Sequence, residues 1–119
     1  MTGKIAIVIN SGLDQRAKVM SGLHVAKRIY DARKENRIEK LEVFLFTGGV
    51  KALGNDEDNS EVIDTIKELR ESGIVLEACS NQVKSWDMED IFVKNGINLE
   101  FARDAFSRYA VEEYTVISF

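Results

Sequence analysis

Lys4-Ile5-Ala6-Ile7-Val8-Ile9-Asn10-Ser11-Gly12 is the stretch that decides the fold. Its apolar residues 5–9 follow one another without alternation, the pattern of a strand buried on both faces of a parallel sheet. Asn10-Ser11-Gly12 ends the strand, and the period of the sequence then changes. From Gln15 to about Lys34, the residues Val19, Leu23, Ala26 and Tyr30 recur at helical spacing and make one apolar face of an amphipathic helix. A charged turn over residues 33–40 leads into Leu41-Glu42-Val43-Phe44-Leu45-Phe46, a second strand closed by Thr47-Gly48-Gly49. Two strands joined through a helix predict a βαβ unit, with the helix lying on the sheet.

The alternation continues to the end of the chain. An acidic stretch, residues 55–61, precedes a helical face of Val62, Ile66 and Leu69, with Asp58 and Glu61 at capping-box spacing and Gly73 as the stop. Ile74-Val75-Leu76-Glu77-Ala78-Cys79 is a third strand, and Met88, Ile91 and Phe92 give a short helix its apolar face before Gly96. Residues 97–101 form strand four, Ala102, Ala105, Phe106 and Tyr109 repeat the helical spacing, and residues 114–119 supply a last strand rich in β-branched and aromatic side chains. The whole predicts a single α/β domain over residues 1–119, a three-layer α/β/α sandwich around a mainly parallel five-stranded sheet with right-handed crossovers.

With 119 residues, 45% of them hydrophobic, the chain is long enough for one core and too short for two, and needs no disulfide or metal for stability. The single cysteine, Cys79, excludes an intrachain disulfide and Cys-x-x-Cys redox cycling, and suits a reducing compartment. The longest apolar runs are too short to cross a bilayer, and Met1-Thr2-Gly3-Lys4 does not open a signal peptide, so a cytoplasmic location without a membrane partner is expected. A net charge of -4, with no basic run longer than two residues, gives no footprint for nucleic acid.

Ligands of open α/β sheets gather beyond the carboxyl ends of the strands, here residues 10–14, 47–50 and 79–82. Asn10, Ser11, Gly12, Thr47, Gly48 and Gly49 are therefore candidate pocket residues. Neither Gly12 nor Gly48-Gly49 belongs to G-x-G-x-x-G or G-x-x-x-x-G-K-[ST], so the glycines read as turn residues and not as a nucleotide cradle. A phosphoacceptor domain needs a strand-terminal Asp, where this chain has Asn10 and Cys79-Ser80. In the acidic loop Asp56, Asp58 and Ser60 alternate, but Glu61 stands where a calcium loop needs glycine and Lys67 where it needs a bidentate glutamate, so no metal is expected. The only histidine, His24, lies off the centre of its helix's apolar face and anchors neither a zinc site nor a Ser-His-Asp triad.

Cys79 differs by its position as the last residue of a core strand, directly ahead of polar residues that open a helix. Backbone N–H groups at such a turn favour an anion, and Lys84 adds a nearby positive charge for a thiolate. The competing reading is that a strand-end thiol fills core volume. A cysteine-phosphatase loop is excluded because Ser85 stands where the arginine fork belongs. Cys79-Ser80-Asn81-Gln82-Val83-Lys84 has the length of a persulfide loop with a cation at its end, without the glycine of a tight rhodanese-type loop.

Taken together, the chain resembles the DsrE-like family of sulfur-relay proteins over nearly its whole length. The resemblance rests on the order and spacing of the opening strand, of Phe46-Thr47-Gly48-Gly49-Val50-Lys51-Ala52-Leu53, of Gly73-Ile74-Val75-Leu76-Glu77-Ala78-Cys79-Ser80 leading to Met88-Glu89-Asp90-Ile91, and of the closing strand. It implies a sulfur carrier, or sulfurtransferase-like protein, in which Cys79 holds a persulfide and passes it to a partner thiol, with no metal or organic cofactor. It also implies a homo-oligomer, a trimer or hexamer, and a sulfur donor or acceptor protein as partner, with Phe44, Phe46 or Trp86 contributing apolar surface. Ser80, Asn81 and Gln82 are the candidates for stabilising the charged sulfur and Lys84 for electrostatic support, while Trp86 either walls the thiol's pocket or caps the core. The alternative is a non-catalytic protein that binds a small ligand or peptide at the strand ends, or a subunit of a homo- or hetero-oligomer in which Cys79 is buried and inert.

Overall fold

The structure, a computed structural model, describes residues 2–54 and 59–119. In chain order these form β1 (Gly3–Ile9), a 3-10 turn (Leu13–Gln15), α1 (Arg16–Asp31), β2 (Ile38–Leu45), α2 (Gly48–Lys51), α3 (Ser60–Ser72), β3 (Val75–Cys79), α4 (Ser80–Ser85), α5 (Glu89–Lys94), β4 (Asn98–Glu100), α6 (Ala102–Val111) and β5 (Thr115–Ser118). The sheet order is β4-β3-β2-β1-β5, and every pairing is parallel. The expected α/β sandwich is the observed one.

The topology makes its two outer layers unequal. β1 to β4 step across the sheet in one direction, and the connection after β4 returns over the full width to set β5 beside β1. With crossovers of one hand, the first three connections lay their helices on one face and the return lays α6 on the other. The buried side chains divide accordingly, because successive strand residues point to opposite faces. Ile7, Ile9, Val43, Leu45, Leu76 and Ala78 pack with Val19 and Leu23 of α1, Val50 of α2, Ile66 and Leu69 of α3, Val83 of α4 and Phe92 of α5. Ala6, Val8, Phe44 and Cys79 pack with Ala102, Ala105 and Tyr109 of α6, with Phe46 and Tyr114 beside them and Phe106 of α6 against the Phe44 ring. We call these the closed face and the open face.

Several boundaries differ from the sequence expectation, each for a visible reason. β2 starts at Ile38 and not at Leu41, because Gly3 and Lys4 lengthen β1 and pair with Ile38 and Lys40 across a register shift. α1 accordingly stops at Asp31, leaving a short turn before β2. The glycines after Phe46 continue into α2 instead of an open loop, and residues 80–85 form a helix of their own ahead of α5. Gly73 ends α3 in the left-handed region at φ 103°, a conformation that any other residue would adopt only under strain. Asp58, the expected cap of α3, lies with the rest of residues 55–58 outside the described residues; the Asn59 amide, ahead of α3, donates to the Gly54 carbonyl. Among the described residues, no helix is long and apolar enough to cross a membrane.

Candidate functional site

The loops that follow β1 and β2 press together with no room for side chains. A Cβ on Gly48 would lie 2.4 Å from the Asn10 carbonyl oxygen, and one on Gly49 would lie 2.1 Å from that of Ile9. Between them and β2, Thr47 is held at φ 51° and ψ -109°, a sparsely populated region for a β-branched residue. Gln82 fixes this turn: its side-chain oxygen accepts the Thr47 N–H at 2.7 Å, while the Thr47 hydroxyl donates to the Phe46 carbonyl at 2.7 Å. With that oxygen engaged, Gln82 has its amide N–H groups left to offer to its surroundings.

Those surroundings are a cavity of about 460 Å³ on the open face, lined by Phe46, Cys79, Asn81, Gln82, Phe101, Ala102 and Arg103. Cys79 ends β3 and opens α4 with its side chain 4% exposed. The cavity's cation is Arg103, whose Nε donates to Asp104 at 3.0 Å. Asn81 and Gln82 of the expected set are brought to the thiol's cavity. Ser80 is buried within α4, and Lys84 is exposed and does not line the cavity. Trp86 belongs elsewhere: it lines a separate cleft with Gly54 and Met88, and the Lys51 ammonium stands 4.7 Å above its ring. His24 is exposed in a shallow groove between α1 and α3.

Asn10 lines a second open-face cavity of about 540 Å³ with Val8, Phe46, Phe106, Tyr109, Ala110, Tyr114, Val116 and Ser118. Phe46 is the wall common to both cavities, and Phe106 stands edge-on to it at 5.4 Å. Ser11, Gly12, Thr47, Gly48 and Gly49 line neither of these two cavities and act through the backbone packing just described. Phe44, expected as outer apolar surface, is fully buried beneath α6 and has none to offer; Phe101, Phe106 and Val116 are among the exposed apolar groups of this face.

Beneath α6 the open face carries a group of charges. Register sets Glu42 of β2, Glu77 of β3 and Glu100 of β4 on a diagonal across three strands: Phe44 pairs with Glu77, and Cys79 with Glu100. Arg108 of α6 reaches down onto all three. It makes a bidentate pair with Glu42 at 2.8 Å through each nitrogen, and one of those nitrogens also meets Glu77 at 3.1 Å and Glu100 at 3.0 Å. The Tyr114 hydroxyl donates to Glu42 at 2.6 Å. Burial works to raise Glu42, but the hydrogen bonds from Arg108, Glu77 and Tyr114 outweigh it and hold its carboxyl down to about 2. Glu77 goes the other way, to about 8, through burial, its hydrogen bond with Glu42 and the neighbouring charges of Glu100 and Glu42. The Tyr109 hydroxyl, pushed up by burial and these carboxylates, is buried with no hydrogen-bond partner among the described residues.

Arg103, Phe101 and the Glu42, Glu77, Glu100 and Arg108 cluster were not legible as a site. A signal existed for part of the cluster, since β2 and β3 each carry one glutamate inside an otherwise apolar run, and a half-buried carboxylate requires a partner. Nothing local names Arg108 as that partner, because it lies 66 residues from Glu42 and comes back only with the return crossover.

No protein-family model matches the chain, and no curated protein matches it in sequence. Solved structures do match. The conserved protein of unknown function BT1422 from Bacteroides thetaiotaomicron superposes with a TM-score of 0.77 at 21% identity, over 98% of this chain and 94% of that one. The protein of unknown function MTH1491 from Methanobacterium thermoautotrophicum gives 0.69 at 18% identity, over 98% and 99%. The ychN protein from E. coli gives 0.71 at 13% identity, over the whole of both chains. At these identities the likeness is one of fold, and it extends from end to end of the chain.

Proposed function

We propose that the protein is a sulfur carrier that holds a persulfide on Cys79 and hands it to a partner thiol. The observation that carries this reading is the setting of the thiol: the only cysteine of the chain closes a core strand at the wall of a cavity that also holds a guanidinium and the amides of Asn81 and Gln82. The resemblance to DsrE-like relay proteins and the end-to-end fold likeness support it. In the loading step, the Cys79 thiolate attacks the outer sulfur of a donor persulfide. A Cys79–sulfur bond forms as the donor's S–S bond breaks, and the electron pair leaves on the donor thiolate. In the release step an acceptor thiolate attacks the same outer sulfur and frees Cys79. No net oxidation occurs. Arg103 and the Gln82 N–H groups favour the anionic forms at both stages. The exposed Phe101, Phe106 and Val116 support self-assembly through the open face.

A second reading, binding without turnover, is favoured by one fact: the larger open-face cavity does not touch Cys79. Intact-mass spectrometry after incubation with a persulfide donor separates the two. A gain of about one sulfur mass, reversed by reductant and absent from Cys79→Ser, is the expected result. No gain in the wild type, with Cys79 unreactive toward alkylation until the protein unfolds, leaves the binding reading.

A further inference from the structure

The turn that closes β2 is of a kind that glycine ordinarily begins. The Gly49 N–H donates to the Phe46 carbonyl at 2.9 Å, and the first residue between them, Thr47, has φ 51° and ψ -109°. These are the angles of a type II′ turn, whose first central position favours glycine because a Cβ there is strained. In this chain the glycine stands one place later, at Gly48, and a β-branched residue takes the strained position. Such strain persists only where the surroundings enforce it. The Thr47 hydroxyl has the Phe46 and Asn10 carbonyls at 2.7 Å and 3.3 Å, and its N–H donates to Gln82 Oε1 at 2.7 Å.

The last of these bonds carries chemical information. A backbone N–H can only donate, so the Gln82 atom that meets it is the carboxamide oxygen. The NH2 is the end left for the Cys79 cavity, which Gln82 lines and Thr47 does not. We propose that Thr47 is a positioning residue of the thiol site: its positive φ presents its N–H to α4, and this turns the donor end of the Gln82 amide toward Cys79.

The opposite conformation shows what the strain achieves. With Thr47 relaxed to negative φ, the Phe46–Thr47 peptide turns over and its carbonyl takes the place of its N–H. Gln82 then bonds to that carbonyl through its NH2, and its oxygen, an acceptor only, is left for the thiol. A donor stabilises a thiolate or persulfide anion and an acceptor destabilises it. The hand of the turn therefore sets the sign of what Gln82 contributes. The charges around the thiol are the cluster of Arg108 and three glutamates, Arg103 with Asp104 on α6, and Lys84 on α4, and the substitutions that test the proposal leave all of them in place. As an aid to sulfur transfer the role rests on the function proposed above, whereas as a determinant of thiol acidity it holds for Cys79 with or without sulfur.

The pH–rate profile of Cys79 alkylation by iodoacetamide, a small neutral reagent, reads that sign. Gln82→Met keeps the length of the side chain and removes both ends of the amide. Its midpoint should rise by about half to one unit, which is about three- to tenfold slower alkylation at a pH below the midpoint. A fall, or no change, means that the oxygen or nothing faced the thiol, and overturns the proposal. Thr47→Val removes the hydroxyl that ties the turn and keeps the β-branched strain. It should raise the midpoint in the same direction, and the double variant should rise no further than Gln82→Met alone, whereas additive shifts overturn the action of Thr47 through Gln82. One measurement needs no variant: in the wild type the side-chain NH2 resonances of Gln82 should shift with the midpoint of Cys79, and resonances that ignore it overturn the proposal. Midpoints that move as expected in a protein that takes up no sulfur defeat the carrier reading alone. Sulfur uptake with unmoved midpoints defeats the positioning role alone, and a thiol that reacts only after unfolding defeats both.

Discussion

The two faces of the sheet solve the same burial problem with different chemistry. On the closed face several helices cover alternate residues of the strands, and every contact between Ile7, Leu23, Ile66 and Phe92 is apolar. On the open face one helix of ten residues crosses the sheet, held by a small aromatic cluster and by Arg108 on three glutamates, with a cavity on either side of Phe46. The closed face stabilises through removal of apolar area from water, which no change of pH reverses. The open face depends on charge balance and stays accessible, and Cys79 is on it.

Truncation of one large aromatic on each face sharpens the contrast most. Phe92→Ala, on the closed face and fully buried, is expected to cost about 3–5 kcal/mol, while Phe106→Ala, 36% exposed on α6, should cost about 1 kcal/mol in denaturant unfolding. Equal losses would mean that α6 is packed as tightly as the rest and that the faces do not differ. Arg108→Ala comes next, with a loss of about 2–3 kcal/mol at neutral pH, because the sheltered Glu42 and Glu100 carboxylates are left without their cation and Glu77 without its hydrogen-bond donor. That loss should shrink below about pH 4.5, where the stranded carboxylates neutralise themselves.

The pH dependence of wild-type stability then separates the members of the cluster. Glu42 sits below its ordinary value of 4.5, so its contribution is present above 4.5 and is lost as pH falls toward 2. Glu77 sits above its ordinary value of 4.5, so its contribution is complete below 4.5 and is lost as pH rises through 8. Stability should therefore peak in mildly acidic solution, with about one proton taken up on folding between the two limits of Glu77, and that uptake should vanish in Glu77→Gln. Unfolding free energy measured at a series of pH values checks both limbs.

The legibility of the molecule follows the same division. The closed face could be read from residues 5–9 and from the helical spacing of Val19, Leu23 and Ala26, because burial against many neighbours imposes a period on the sequence. The open face imposes little period. Phe101, Phe106 and Val116 are apolar yet exposed, and Glu42 and Glu77 are charged yet largely sheltered, so each breaks the pattern that sequence reasoning uses. Cys79 was legible as a strand-end thiol, since its place depends on β3 alone. Its companions depend on which helix the return connection brings over it, and helix α6 supplies Arg103 from 24 positions further along the chain, where the sequence had offered Lys84 from the adjacent turn.

That substitution of one cation for another gives the finest test of the comparison. Lys84 and Arg103 both lie within reach of Cys79 on paper, but only Arg103 lines the thiol's cavity, and its exposed guanidinium is shared with Asp104. A charge that far into solvent is strongly screened, so its influence on the thiolate is small and falls with salt. Alkylation of Cys79 by a small neutral reagent at fixed pH should slow about two- to threefold in Arg103→Gln at low ionic strength, converge with wild type in high salt, and stay unchanged in Lys84→Ala. If Lys84→Ala slowed the reaction instead, α4 and not α6 would set the field at the thiol, and the open face would owe its chemistry to the local turn that the sequence already displays.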